Sequence, residues 1–264
     1  FQPSMAANFW ESSQRQYLQS YKFNEETWHK KDIELLGLTM EDCKRIEFHY
    51  LEQLWEVTAA LAQRPRLAAT ASVYFRKFYV EYCFVDAEPS LVAGTALNLA
   101  GKIEECPLRI ETLLTSAKFA HTYTATDIQT CEFYMLHALH CHLIVFHPHR
   151  SLYKYAEDAK LDKETTECAV QLANDSYFTD VLLRYPPYMI SLACLLIATT
   201  TKRGNAADFR TWFNKVIVDT DSVRKLGDLA NDILNVYTFF GQPDFDTRVR
   251  AIIPKLPKAP AKPK

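Results

Sequence analysis

Glu88-Pro89-Ser90-Leu91-Val92-Ala93-Gly94-Thr95-Ala96-Leu97-Asn98-Leu99-Ala100-Gly101-Lys102-Ile103-Glu104-Glu105 is the stretch whose reading decides the fold. It opens with proline in the first helical turn, where the missing N–H costs nothing. Val92, Ala96, Leu99 and Ile103 recur at helical spacing, and the pattern stops before Pro107. One more helix precedes it from Pro65, with Leu67, Thr70, Tyr74 and Phe78 in line. Before that, Thr39 with Asp42 forms a capping-box start for a helix striped by Cys43, Ile46, Tyr50, Leu54, Val57 and Leu61. Downstream, a short helix is expected over Arg109 to Phe119, and a fifth starts at a Thr126/Gln129 box and runs to about Cys141.

His147-Pro148-His149 is a boundary, because proline disfavours helix in the residue before it. Beyond it the pattern predicts helices near Ser151–Lys160, Thr166–Leu183, Pro187–Lys202, Asp208–Val216 and Asp221–Phe240, the last striped by Val223, Leu226, Ala230, Ile233 and Tyr237. An extra helix near Trp10–Tyr21 precedes both sets. The fold class is therefore all-α: two tandem sets of about five helices with an extra N-terminal helix. Met5-Ala6 reads as a native start. The expected organisation is 5–38 as N-terminal helix and linker, 39–146 as the first repeat, 147–241 as the second, and 242–264 as a tail. From Pro254 the tail is Pro/Lys/Ala-rich and is expected to be extended and solvated.

Composition agrees. The 264 residues are 48% hydrophobic and 23% charged, enough apolar material for a full core. Only 6 glycines occur, with no Asn-Gly or Asp-Gly hairpin turn. The net charge of −2 argues against general adhesion to nucleic-acid phosphates, which needs a basic excess. The 7 cysteines are unpaired in spacing, and Cys131 and Cys194 sit in apolar helical runs, which suits reduced thiols of the cytosol or nucleus. Phe1 to Gln16 has no secretory pattern, and the longest apolar run, Met189 to Ala198, is too short to span a bilayer. The sequon Asn174-Asp175-Ser176 carries no weight without secretion.

Enzyme chemistry has little to stand on. No phosphate-binding glycine loop, nucleophile elbow, kinase signature or zinc helix motif is present. Cys131, His137, His140, Cys141, His142, His147 and His149 crowd one region, but their spacing lacks a Cys-x-x-Cys or His-x-x-x-His pair, so no metal and no cofactor is expected. Glu104-Glu105 reads as a solvated helix end, because adjacent helical residues point apart. Two charges are harder to dismiss. Glu132 falls on the stripe of Ile128, Met135 and Leu139, and Lys102 ends the helix that holds Leu99 and Asn98. A desolvated charge needs a partner. Two readings stand: an internal Lys102–Glu132 salt bridge, or a pair that also reaches a partner's backbone.

These residues resemble the cyclin family. Ala100-Gly101-Lys102-Ile103-Glu104-Glu105 is similar to the Lys-x-Glu-Glu segment of the cyclin box, and Cys131-Glu132-Phe133-Tyr134-Met135-Leu136 to the segment with its second signature residue. The 30-residue separation of Lys102 and Glu132 fits that box. Further segments resemble the transcriptional cyclin C branch: Ala7 to Gln14, Leu143 to Pro148, and Asn174 to Tyr177 continuing to Pro187. The resemblance implies two cyclin boxes and a non-catalytic subunit that binds and activates a cyclin-dependent kinase of the Mediator-associated type. Lys102 and Glu132 would contact the kinase, and Phe9 and Trp10 on the N-terminal helix would serve partner specificity. Other Mediator kinase-module subunits, a nuclear location, and no direct nucleic-acid or membrane contact are implied with it. The first helix reads Ile46-Glu47-Phe48-His49-Tyr50 where cell-cycle cyclins carry a Met-Arg-Ala-Ile-Leu docking patch, so substrate recruitment by that patch is not expected. The rival readings are a helical scaffold or adaptor without a kinase and a transcription factor IIB-like DNA-binding protein of the same fold.

Overall fold

The computed structural model describes residues 29–115, 123–202, 206–216 and 220–257. The expected helix near Trp10–Tyr21 lies outside them. All regular elements among the described residues are helical. The described residues divide into two units, one holding 29–145 together with 242–257, the other holding those within 146–241.

In the first unit, α1 (Lys30–Leu36), α2 (Met40–Ala60), α3 (Pro65–Glu81), α4 (Pro89–Ile103), α5 (Ile110–Thr115) and α6 (Ala125–Ala138) follow in order. Thr39 caps α2 as expected: its hydroxyl accepts from Asp42 N–H, and its own N–H donates to Asp42 Oδ2, each at 3.1 Å. The stripe Cys43, Ile46, Tyr50, Leu54 and Val57 is buried. α3 is buried from Leu67 through Tyr79, so its four expected core positions are a fraction of what it hides. Small residues make this possible, since Ala68, Ala69, Ala71 and Ser72 on α3 and Ala93, Ala96 and Ala100 on α4 let neighbouring helices approach. Gly101 serves the return of the chain after α4: a Cβ there would stand 3.0 Å from Cys106 O.

Two expected boundaries move. α6 starts from Thr124, not Thr126, because Asp127 accepts from Thr124 N–H at 2.6 Å and closes the box. It ends at Ala138, and His140 and Cys141 turn into the left-handed region at φ 47° and 58°. The helix expected over Arg109 to Phe119 is described only as far as Thr115.

The first unit also buries a charged network. Arg76 Nη1 meets Glu47 Oε2 at 2.6 Å, His29 Nε2 meets Glu47 Oε1 at 3.1 Å, and His29 Nδ1 meets Asp32 Oδ2 at 2.9 Å. Burial alone would raise the Glu47 carboxyl, but Arg76 and His29 hold it below its ordinary value. Burial would lower the His29 imidazole; its two carboxylate partners raise it instead. Ile46, Glu47 and Tyr50 are thus interior, while Phe48 and His49 are half-buried.

The second unit contains α7 (His149–Asp158), α8 (Lys163–Asp175), a 3₁₀ turn (Ser176–Phe178), α9 (Val181–Arg184), α10 (Pro187–Lys202), α11 (Ala206–Val216) and α12 (Thr220–Phe240). α10 is its central helix, buried at Ile190 through Leu195. The single helix expected over Thr166–Leu183 is three pieces. Asp162 caps α8 by accepting from Thr165 N–H at 2.7 Å, and the run Asn174-Asp175-Ser176 diverts the backbone, with the Ser176 hydroxyl donating to Ala173 O at 2.7 Å. The Asn174 amide oxygen meets His149 Nε2 at 2.8 Å, and the Tyr177 hydroxyl meets His147 Nδ1. On α12 the buried stripe is Leu226, Leu229, Ala230, Ile233 and Val236; Val223 and Tyr237, expected inside, are about half exposed.

The tail is the largest revision. α13 (Phe245–Ile252) and a 3₁₀ turn (Ile253–Lys255) pack with the first unit, burying Phe245, Val249, Ile252 and Leu256. The expectation of an extended chain from Pro254 therefore fails for the described residues, because Leu256 supplies an apolar anchor beyond the proline.

Candidate functional site

Lys102 occupies the last turn of α4, where the helix dipole favours a cation. Glu132 lies mid-way along α6, which packs against α4. The Lys102 ammonium donates to both carboxylate oxygens at 2.7 Å, and Asn98 Nδ2 donates to Oε2 at 3.2 Å. The internal salt bridge is therefore made. Its two ends differ: the Lys102 side chain is 48% exposed and that of Glu132 14%. A lysine with three donors and half its surface in water retains donor capacity toward a second molecule.

Glu104 is not the solvated helix end that the sequence pattern implied. Its side chain is 12% exposed, held by Arg66 Nε at 2.7 Å and the Thr70 hydroxyl at 2.7 Å. Those contacts tie the end of α4 to the start of α3 and fix the turn from which Lys102 projects. Glu105 is exposed and left-handed at φ 56°.

Exposed apolar side chains adjoin the pair in sequence: Phe133 at 74%, Tyr134 at 58% and Ile103 at 37%. Exposed aromatic residues are among the types enriched in protein–protein hot spots. Phe133 and Tyr134 were not singled out by periodicity; the available signal was that neither falls on the stripe of Ile128, Glu132, Met135 and Leu139. Phe9 and Trp10 lie outside the described residues.

Two histidines of the crowded region have other partners. His140 Nε2 lies 3.4 Å from Glu81, and His137 Nδ1 the same distance from the Tyr82 hydroxyl. Among the described residues, no three His, Cys, Asp or Glu side chains are grouped to hold a metal ion. No helix among them is long and apolar enough to cross a membrane.

Residues 15–144 match the family description "Cyclin, N-terminal domain". The chain is 33% identical to Cyclin-C of Rattus norvegicus over 96% of its length and 91% of that protein. It is 31% identical to Cyclin-C of Drosophila melanogaster, covering 96% of this chain and 97% of the relative. Among solved structures, a chain of the CAK complex of Chaetomium thermophilum bound to ATP-gamma-S matches with TM-score 0.69 at 17% identity, covering 94% of this chain and 84% of that one. A chain of the yeast TFIIK complex matches with TM-score 0.64 at 20% identity, over 80% of this chain and 95% of its counterpart. At such identities the two structures speak for the fold. Sequence identity to full-length relatives, the matched domain and the helical architecture together place this chain in the cyclin family.

Proposed function

We propose that this chain is the regulatory, non-catalytic subunit that binds and activates a cyclin-dependent kinase of the Mediator type, acting in the nucleus on RNA polymerase II transcription. Similarity to relatives named Cyclin-C over nearly the whole chain supports the branch. The observation that carries the kinase contact is the Lys102–Glu132 pair, closed internally yet open to solvent on its lysine side.

Activation follows from differential binding. A kinase whose regulatory helix moves between two positions is shifted only by the difference in affinity of its subunit for those positions. Lys102 would donate to main-chain carbonyls of the kinase, and Glu132 would accept from its amides. Charge-assisted bonds of this kind are individually worth about 1.5–3 kcal/mol. Loss of two such bonds would weaken binding by roughly 10²–10⁴-fold.

The test is affinity capture from nuclear extract with wild type and with the double exchange Lys102→Glu, Glu132→Lys. The exchange keeps an internal ion pair across α4 and α6 while inverting what a partner meets. One cyclin-dependent kinase captured active by wild type and lost by the folded exchange variant is the expected result. Capture of no kinase, or equal capture by both, would leave the pair as an internal bridge and favour a helical adaptor.

A further inference from the structure

The outer side of α2 is occupied by the chain itself. Phe245 meets the Phe48 ring edge-on at 5.5 Å between centroids. Arg248 Nε and Nη2 donate to the two oxygens of Asp42 at 2.8 and 2.9 Å, and Arg45 Nη2 donates to Gln242 Oε1 at 2.7 Å. Phe245, Val249 and Ile252 fall at i, i+4 and i+7 and are buried, with Leu256 following. This is the pattern by which an amphipathic peptide helix fills a groove on another molecule.

Two features set the contact apart from the rest of the core. First, α13 spans 8 residues, too few for a helix to persist in water without the surface it rests on. Second, the charges it meets on α2 keep partners in its absence. Asp42 still accepts from Thr39 N–H at 3.1 Å, and Arg45 still reaches Glu41 at 2.8 Å. Withdrawal of α13 therefore strands neither charge, whereas loss of Arg76 would strand Glu47. The receiving surface is pre-formed, and its ligand is a short separable segment.

We propose that the face of α2 bearing Asp42, Arg45 and Phe48 is a peptide-docking site, closed in cis by residues 242–257. The partner it takes is an amphipathic helix with an aromatic residue at i, arginine at i+3 and branched aliphatic residues at i+4 and i+7. The two-pronged contact on Asp42 selects arginine over lysine, since only a guanidinium matches both oxygens. The site uses neither Lys102 nor Glu132, so it stands or falls independently of the kinase reading.

The experiment uses the full chain and a fluorescein-labelled synthetic peptide of residues 242–257, read by fluorescence anisotropy. An opened chain carries Phe245→Ala, Arg248→Ala and Val249→Ala, leaving α2 intact. A tethered segment competes at an effective concentration in the millimolar range, so the opened chain is expected to bind the peptide about 10- to 100-fold more tightly than wild type. A peptide carrying Arg248→Glu is expected to lose that binding. The proposal is overturned if the opened chain keeps its helical circular-dichroism spectrum and binds no better than wild type, or if the Arg248→Glu peptide binds equally. It is also overturned if opening collapses the helical spectrum, which would make α13 part of the cooperative core. Light scattering that shows the opened chain and peptide assembling only with dimers would assign the face to a second copy instead.

Discussion

Arg76→Met and Lys102→Met remove one cation each from an ion pair of the same unit, yet their effects on stability should differ several-fold. The side chains of Arg76 and Glu47 are 6% and 2% exposed, with a contact of 2.6 Å. Removing Arg76 leaves the Glu47 carboxylate in the interior with only His29 at 3.1 Å as its described ionic partner. Stranding a buried charge in this way costs about 3–5 kcal/mol. At roughly 2–4 °C per kcal/mol, that lowers Tm by about 6–20 °C. Lys102 is 48% exposed, and Glu132 keeps Asn98 when it is lost. Exposed pairs are worth about 0.2–1 kcal/mol, so the shift should stay below about 4 °C. Differential scanning calorimetry of the full-length variants at neutral pH makes the comparison. Adding Glu47→Gln to Arg76→Met should recover part of the loss, because no uncompensated charge then remains. Equal losses for the two single variants, or a larger loss for Lys102→Met, would refute the argument from burial.

Acid should act through Asp42. Hydrogen bonds from the Arg248 guanidinium pull its carboxyl down to about 2, below the unfolded value, so the stabilisation is complete above about pH 4 and disappears as pH falls through about 2. The stability gap between wild type and Asp42→Asn, followed by circular dichroism, should shrink over that interval. Helix ends offer a gain: Lys160 takes φ 52° where Leu161 N–H reaches back to Ala156 O, a position suited to glycine. Lys160→Gly should stabilise by about 1 kcal/mol and raise Tm by about 2–4 °C, measured by thermal unfolding.

Elements whose limits are written in neighbouring residues were legible in the sequence. Thr39 with Asp42 caps α2, Pro89 opens α4, and the stripe from Cys43 to Val57 is interior. Lys102 and Glu132 were legible as well, because a charge at a core-spaced position calls for a partner. The misplaced features depend on competition or on tertiary packing. Thr124 and Thr126 both look like caps, and only the carboxylate of Asp127 decides between them. Asn174-Asp175-Ser176 reads as helix by periodicity until the side chains bond to the backbone and to His149. Glu104 looked like a free helix end because Arg66 and Thr70, which hold it, lie more than thirty residues earlier. Phe245 and Arg248 were read as part of a tail, since their partners Phe48 and Asp42 stand on α2, about two hundred residues earlier.

That last separation has a consequence for synthesis. Asp42 and Arg248 are 206 residues apart, so the α2 helix leaves the ribosome long before the segment that covers it. At about 5–20 residues per second, the interval is roughly 10–40 s. The helices of the first repeat pair mostly with sequence neighbours and can assemble early, which leaves the Asp42 and Phe48 face uncovered on the nascent chain throughout that time. Chaperones and partners that act during translation meet a surface that the finished protein has closed.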